Sequence, residues 1–236
     1  MSAILEIKRL EGGYYPHVDV LHDIDLRIED GEVIGILGLN GSGKSTLGKA
    51  IMNMIPYRKG QIILKGEDVT ALKTHELSRK GISIMQQGGQ VFQTISVWEN
   101  LEMAMGKDVS VRVEQLKDII PFLSTPRKEL QKKMADKLSG GQRHQLAFAM
   151  ALATRPTLLI LDEPSAGLSP KAVQQMYTII KKAQSDMQLS VILIEQNISK
   201  AVEFCSKTLL ISTGTILREF DNKSVSDVEK ELFPEN

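Results

Sequence analysis

Short apolar segments near the start of the chain, one of them with alternating hydrophobic and polar positions, predict β-strands. Gly31 and Gly60 lie between these segments and indicate turns. The predicted strands contain Ile4, Leu5 and Ile7, residues 21–28, residues 33–37 and residues 61–64. We therefore expect the beginning of the chain to form an antiparallel β layer.

The middle of the chain has a different pattern, because from about residue 97 to residue 153 the apolar positions recur at helical spacing. Pro121 and Pro126 lie inside this stretch. Since proline cannot continue a helix, the two residues divide the stretch into shorter helices. This part of the chain therefore predicts helices without strands.

The last third of the chain alternates strands with a helix. The predicted elements are a strand at 158–161, a helix at 171–187 and a strand at 191–194. Because both strands are apolar throughout, they are typical of a parallel sheet that is covered on both faces. Residues 208–212 and 216–220 flank Gly214 and predict a hairpin.

This order of elements predicts an α/β protein whose core is interrupted by helices. We expect one domain over residues 1–236, with a core formed by residues 1–86 and 154–236 and an inserted helical lobe over about residues 87–153. The chain has 236 residues, of which 42% are hydrophobic, and this is enough to bury the core of such a domain.

Composition and charge limit the classes of function that this chain can have. Lysine and arginine together number 29, as do aspartate and glutamate, so nothing indicates a basic surface for nucleic acid. The single cysteine, Cys205, cannot form an internal disulfide, and we expect a buried thiol. The apolar runs are too short to span a bilayer, and the start of the sequence lacks a signal-peptide pattern. We expect a cytoplasmic protein that would act at a membrane only through a partner.

A phosphate-binding motif follows the strand predicted at 33–37. It reads Gly38-Leu39-Asn40-Gly41-Ser42-Gly43-Lys44-Ser45, and a helix is predicted over residues 46–55. Glycines allow backbone N–H groups to curl around an anion, and a helix start adds unpaired donors and partial positive charge. We expect Lys44 to reach the β- and γ-phosphates of a nucleotide and Ser45 to bind Mg²⁺.

Two carboxylates, Asp162 and Glu163, follow the apolar strand at 158–161. In open α/β sheets, ligands bind at the carboxyl ends of the strands. Asp162 is therefore placed to hold Mg²⁺ through its water shell, and Glu163 to polarise the attacking water as general base. An ordinary exit from a strand into a loop would also explain acidic residues, but the preceding phosphate loop favours the nucleotide site.

A second glycine-rich motif, Leu138-Ser139-Gly140-Gly141-Gln142, precedes a helix predicted over residues 143–153. Ser139 is a good N-cap, and paired glycines expose backbone donors, so the motif predicts another anion-binding helix start. One chain does not need two cradles for a γ-phosphate. The second cradle is explained if it serves ATP held by another copy. An ordinary capped helix would explain the serine but not the two glycines and the glutamine.

Together, and in this order, the three motifs resemble those of the ATP-binding subunits of ABC transporters, from Ile4 to about Phe220. The resemblance implies a P-loop ATPase core that hydrolyses ATP with Mg²⁺, and a head-to-tail dimer that holds ATP between its subunits. The implied nucleotide contacts are Gly38, Asn40, Gly41, Ser42, Gly43, Lys44, Ser45 and Thr46 of one subunit and Ser139, Gly140, Gly141 and Gln142 of the other.

The resemblance also assigns roles to single residues. Tyr15 is similar to the aromatic residue that stacks on adenine, with Tyr14 as the alternative, although a half-buried strand tyrosine would explain the same position. Gln87 lies where the family has a glutamine that contacts Mg²⁺ and the attacking water, with Gln86 as the alternative register.

Two positions depart from the common family pattern. The loop after Glu163 ends in Ser169, where most relatives have aspartate, and Gln196 stands where most have histidine. We expect Gln196 to donate a hydrogen bond to the γ-phosphate, although it would alternatively cap a helix over residues 198–204. These segments resemble the branched-chain amino-acid importer group, in which urea and amide importers look alike.

The resemblance implies a transport motor on the cytoplasmic face of a membrane, whose permease subunits are separate chains and whose cargo is a branched-chain amino acid or a similar small polar solute. The alternative is a soluble ABC ATPase of DNA repair or translation, but such proteins resemble fused pairs or carry coiled-coil or metal-binding insertions. A small-molecule kinase would share the phosphate loop and leave residues 138–142 unexplained.

Overall fold

The computed structural model describes residues 2–221 together with Val225 and Val228. The strands are β1 (Ala3–Gly13), β2 (Leu21–Glu29), β3 (Val33–Leu37), β4 (Tyr57–Leu64), β5 (Glu67–Asp68), β6 (Ile82–Met85), β7 (Leu158–Asp162), β8 (Ser190–Ile194), β9 (Lys207–Ser212) and β10 (Thr215–Asp221). The α-helices are α1 (Lys44–Ile51), α2 (Thr74–Arg79), α3 (Val97–Met105), α4 (Val109–Leu116), α5 (Arg127–Lys132), α6 (Gly140–Ala151), α7 (Pro170–Met187) and α8 (Ile198–Phe204). Short 3₁₀ helices cover Gly106–Asp108, Pro121–Ser124 and Ala135–Lys137.

The chain divides into two compact units. The first consists of the described residues within Met1–Ile84, Thr157–Asp162 and Leu189–Asn236, and the second of Met85–Pro156 and Glu163–Gln188. The second unit holds the helical stretch that the sequence predicts and also α7. The functional boundary between a catalytic core and a lobe stays a prediction.

The strands of the first unit form an antiparallel sheet and a mostly parallel one. The antiparallel sheet has the order β2-β1-β4-β5, as the alternating pattern near the start of the chain predicts. The other sheet has the order β10-β9-β3-β8-β7-β6, and its strand β3 is parallel to both β8 and β9. The prediction that residues 33–37 belong to the initial β layer is therefore wrong. Their continuous apolar pattern is that of a parallel strand buried on both faces.

Both faces of the parallel sheet are covered within the first unit. Ile34 and Ile36 of β3 pack into the core shared with β1, β2 and α1, whereas Leu37 packs with Ala201 of α8. Successive side chains of a strand point to opposite faces, so the two clusters lie on opposite sides of the sheet. Cys205 lies at the end of α8, where its thiol is buried, as expected, and burial raises its pKa.

Helix boundaries differ from the predicted ones at two functional segments. Helix α1 ends at Ile51 rather than at residue 55, and Arg58 donates to the carbonyl of Ala50 near its end at 2.7 Å. Helix α6 begins at Gly140 rather than at residue 143, because Ser139 caps it. None of the helices in the described part of the chain is long and apolar enough to cross a membrane.

Candidate nucleotide site

The phosphate loop connects β3 to α1 in a conformation that depends on its glycines. Gly41 and Gly43 have φ values of 79° and 103°, in the left-handed region that favours glycine. A Cβ on Gly38 would lie 2.2 Å from the carbonyl oxygen of Ile211 and 2.6 Å from Oγ of Ser42, so this position has no room for a side chain. The sequence motif therefore folds into a loop with closely spaced backbone groups at a helix start.

Lys44 is the positive charge of this loop. Its side chain is only 4% exposed, and Nζ donates to the carbonyl oxygens of Gly38 at 2.9 Å and Leu39 at 3.0 Å. Close by in the loop, the hydroxyl of Ser42 is buried and has no hydrogen-bond partner among the residues that the structure describes. An ammonium, an unpaired hydroxyl and the N–H groups of a helix start form a donor set that suits the oxygens of a phosphate.

Ser45 and Asp162 bring two hard oxygen ligands together. Ser45 Oγ donates to Oδ1 of Asp162 at 2.9 Å, and Asp162 is 2% exposed at the end of β7. Among the residues that the structure describes, no cluster of three or more His, Cys, Asp or Glu side chains is suited to a metal. A cation at Ser45 and Asp162 would take its other oxygens from phosphates and water, which is how Mg²⁺ is usually held.

The turn of the terminal hairpin supports the phosphate loop, a contact that sequence patterns do not predict. The N–H of Gly214 donates to the carbonyl of Ser42 at 2.9 Å, and the carbonyl of Gly214 accepts from the N–H of His22 at 2.9 Å. A Cβ on Gly214 would lie 1.9 Å from the carbonyl oxygen of Val20. A glycine at the hairpin turn thus permits three chain segments to meet next to the loop.

The two tyrosines predicted as alternative adenine contacts differ in their surroundings. The hydroxyl of Tyr14 lies 3.4 Å from Oγ1 of Thr46, and Nζ of Lys49 lies 6.0 Å from the centre of its ring. Tyr15 is 71% exposed, against 40% for Tyr14. Tyr14 therefore contacts helix α1, which follows the phosphate loop, whereas Tyr15 is largely exposed to solvent. Which of them stacks on adenine stays a prediction.

Gln196 follows β8 and is exposed. The alternative that it caps the next helix is wrong, because Asn197 is the N-cap of α8 and its Oδ1 accepts from the N–H of Lys200 at 3.1 Å. The backbone N–H of Gln196 donates to Oε2 of Glu195 at 3.2 Å. The predicted contact of the Gln196 side chain with a γ-phosphate stays a prediction.

In the second unit, Gln87 and Glu163 lie side by side. Nε2 of Gln87 donates to Oε2 of Glu163 at 2.6 Å, and the Glu163 side chain is buried, with 7% exposure. Glu163 has a φ of 47°, an unusual value for a residue other than glycine. Such backbone conformations cost about 1–3 kcal/mol and tend to occur at functional sites. This pairing favours Gln87 over Gln86 as the glutamine of the predicted site.

The second glycine-rich motif forms the start of α6. The N–H of Gln142 donates to Oγ of Ser139 at 3.3 Å, and the N–H of Ser139 donates to Oε1 of Gln142 at 3.3 Å. This reciprocal pair is a capping box, in which the glutamine as well as the serine closes the helix start. Gln142 therefore has a structural role that the sequence analysis does not assign.

A groove of about 630 Å³ lies beside this helix start. It is lined by both glycines of the motif and by the loop that departs from the family pattern, including Gly167, Leu168 and Ser169. A Cβ on Gly140 would lie 3.4 Å from Cδ2 of Leu168, which is ordinary contact distance. The motif and the loop therefore share one open surface.

A phosphate loop after a parallel strand, with a carboxylate at the end of another strand of the same sheet, is the arrangement of a P-loop ATPase. The family model described as ABC transporter matches residues 21–166. This chain belongs to the ABC transporter family. It is the ATP-binding subunit of a transporter, and it hydrolyses ATP to drive transport.

Individual relatives agree with this assignment. The chain is 35% identical to the probable branched-chain amino acid transport ATP-binding protein LivF of Archaeoglobus fulgidus, over 98% of this chain and 96% of the relative. It is 31% identical to the lipopolysaccharide export system ATP-binding protein LptB of Escherichia coli, over 84% of this chain and 83% of the relative. Among solved structures it is similar to cbiO1 from Clostridium perfringens, part of the ABC transporter complex cbiONQ. The TM-score is 0.81 and the sequence identity 25%, and the match covers 98% of this chain and 93% of the cbiO1 chain.

Proposed function

We propose that this chain energises the import of branched-chain amino acids, or of a similar small polar solute, through separate membrane permease subunits. The observation that carries the proposal is the similarity to LivF, which extends over nearly the full length of both chains. The departures at Ser169 and Gln196 support it, because the same segments resemble the branched-chain importer group. We place the subunit at the cytoplasmic face of the membrane, where ATP is available.

Within the proposed site, the loop from Gly38 to Thr46 binds the phosphates of ATP, and the ammonium of Lys44 balances their charge. Ser45 and Asp162 would hold Mg²⁺, which neutralises charge on the phosphate oxygens when it is bound. Tyr15, or alternatively Tyr14, stacks on adenine. These roles rest on the short loop, the buried ammonium and the 2.9 Å pair between Ser45 and Asp162.

The hydrolytic step in this proposal depends on Glu163, Gln87 and Gln196. Glu163 accepts a proton from the attacking water, because a carboxylate at this position can serve as general base. The amide of Gln87 orients that carboxylate through the 2.6 Å hydrogen bond and would also contact Mg²⁺. Gln196 donates an amide N–H to the γ-phosphate, as a histidine N–H would.

A second subunit, the same or a related chain, completes the proposed site. Ser139, Gly140, Gly141 and Gln142 of one subunit would cover the ATP bound to the other in a head-to-tail dimer. The exposed position of Ser139 at the start of α6 and the open groove beside it support this arrangement, since an unobstructed helix start can accept an anion.

Lipopolysaccharide export is a second candidate function, favoured by the similarity to LptB. The two candidates are separated by deleting the gene in the source organism and restoring it as the parent or as Glu163→Gln. Loss of labelled leucine uptake, rescued only by the parent, supports import. Normal uptake with lipopolysaccharide missing from the cell surface supports export.

A purification from membranes tests the transport assignment itself. We expect the tagged chain to bring down hydrophobic permease subunits. Recovery of DNA instead of permeases would favour the soluble alternative.

A further inference from the structure

We propose that His144 is a positioning residue for ATP hydrolysis, because its imidazole holds the turn at Gln87–Gly89 against α6 and so sets the Gln87 amide on the carboxylate of Glu163. All of these residues belong to the second compact unit. The inference rests on the proposed roles of Gln87 and Glu163 and adds a residue that the sequence motifs do not single out.

The first observation is a close steric fit between the ring and the turn. A Cβ on Gly89 would lie 2.1 Å from Cδ2, 2.9 Å from Nε2 and 3.1 Å from Cγ of His144. The imidazole therefore occupies the space that a side chain at position 89 would fill. His144 is only 3% exposed, so the ring cannot swing into solvent to make room.

The second observation is the conformation of the turn. Gly88 and Gly89 have φ values of 82° and 59°, both in the left-handed region. Two consecutive glycines have many alternative conformations, so the turn needs an external contact to keep one of them. The His144 ring packs on Gly89, and the nearby Gly88 backbone acts to raise the pKa of the imidazole. His144 therefore supplies an external contact for the turn.

The third observation is that a histidine at this position lowers the stability of the fold. Nδ1 of His144 is buried without a hydrogen-bond partner in the described part of the chain. Burial and the charge of Arg143 lower the pKa of His144, so the ring is neutral at pH 7. A buried polar atom without a partner costs stability, and an apolar side chain would avoid that cost. The close fit of the ring against the turn at Gly89 gives a reason for an imidazole here.

The position of His144 in α6 suggests what the contact achieves. Ser139 caps the same helix, and the motif at its start is the proposed contact for the ATP of the second subunit. Gln87 directly precedes the glycine turn and donates to Glu163 at 2.6 Å. A displacement of the start of α6 would therefore be transmitted to the Gln87–Glu163 pair through the buried imidazole of His144.

The test compares His144→Ala, His144→Gln and Leu146→Val in the full-length chain. Leu146 is buried in the same helix, but it lies about 200° further around the helix axis, away from the face of His144. We expect His144→Ala to lower kcat by about tenfold to a hundredfold, the scale of a small misplacement of catalytic groups. The KM for ATP should change little, because the phosphate loop is untouched. His144→Gln should recover most of kcat, since its side chain is long enough to occupy the same space beside the turn.

Melting temperatures of the same preparations separate positioning from stability. If His144→Ala melts below the assay temperature, His144→Leu takes its place, because it lacks the flat ring that fits against Gly89. Parent-like kcat per folded molecule in the variant that is measured would overturn the proposal. An equal loss of kcat in Leu146→Val would also overturn it, because the effect would then not be specific to the turn.

A double-mutant cycle with Gln87→Ala tests whether His144 acts through Gln87. Once Gln87 is absent, removal of the imidazole should cost little further turnover. Independent, multiplying losses would contradict the proposal. Glu163→Gln serves as the reference: normal turnover in that variant refutes the proposed role of Glu163, whereas an inactive Glu163→Gln beside a fully active His144→Ala refutes only the inference about His144.

Discussion

The substitution Glu163→Gln isolates the proposed general base, because it changes one carboxylate oxygen to an amide nitrogen and little else. Glu163 is buried and accepts a hydrogen bond from Nε2 of Gln87 at 2.6 Å. A glutamine at this position has nearly the same volume and keeps a carbonyl oxygen for the same hydrogen bond. The variant should therefore fold and bind ATP as the parent does.

The expected effects on stability and turnover differ in size. A hydrogen bond to a charged group is worth about 1.5–3 kcal/mol and a neutral one about 0.5–1.5 kcal/mol, so stability should fall by about 1 kcal/mol. A general base contributes about 10²–10⁴ in rate. Because each factor of ten corresponds to about 1.4 kcal/mol, the activation barrier should rise by about 3–5 kcal/mol.

The assay measures phosphate release with ATP and Mg²⁺, together with the melting temperature and the dimer fraction by size-exclusion chromatography. With hydrolysis blocked, the closed dimer should persist, and sizing should show more dimer than for the parent. Glu163→Ala is the matched comparison, because it also removes the acceptor of the Gln87 amide and should cost more stability. Parent-like turnover with an unchanged dimer fraction would show that the base lies elsewhere.

Substitutions at five further positions test the other parts of the site. Lys44→Ala should abolish turnover and weaken ATP binding, measured by calorimetry, because the phosphates lose their main cationic partner; normal hydrolysis would refute the phosphate-loop assignment. Ser139→Arg should stop hydrolysis but leave ATP binding to the isolated subunit nearly intact, and loss of monomer binding would indicate a purely structural motif. Gln196→Ala should lower turnover strongly, while Gln196→His should retain much of it and gain a pH dependence between about pH 6 and 7; parent-like turnover in the alanine variant would refute the predicted contact with the γ-phosphate. Gly89→Ala should lower kcat more than Gly88→Ala, since both positions have positive φ but only a Cβ at position 89 meets His144; equal losses would count against the contact.

Much of the fold can be predicted because it is encoded over short stretches of sequence. The apolar run of β3, the glycine-rich loop and the start of α1 follow one another directly, so their order alone predicts a phosphate loop. The Ser139 cap is equally local, since its partner Gln142 lies in the first turn of the same helix. At such positions, the residues that decide the structure are close together in the sequence.

Contacts between segments that are distant in the sequence cannot be predicted from local patterns. The apolar pattern of β3 is typical of a buried parallel strand, but it does not show which strands lie beside it, because β8 and β9 come much later in the chain. The hydrogen bond from Gly214 to Ser42 and the packing of His144 on Gly89 are equally non-local. Both contacts involve glycines whose need for space becomes visible only when the opposing atoms are known.

The neighbouring carboxylates Asp162 and Glu163 show why position at a strand end is not enough to assign chemistry. Hydrophobic patterning places both at the end of β7 and treats them alike. The structure gives each a different partner: a hydroxyl donates to Asp162, and an amide donates to Glu163. A hydroxyl oxygen can share a cation with a carboxylate, which suits the proposed Mg²⁺ role of Ser45 and Asp162. An amide N–H is far too weak an acid to give up its proton, so the hydrogen bond from Gln87 leaves the carboxylate able to accept a proton from water, as proposed for Glu163. The proposed difference in role between the two adjacent acids thus rests on the chemistry of their donors.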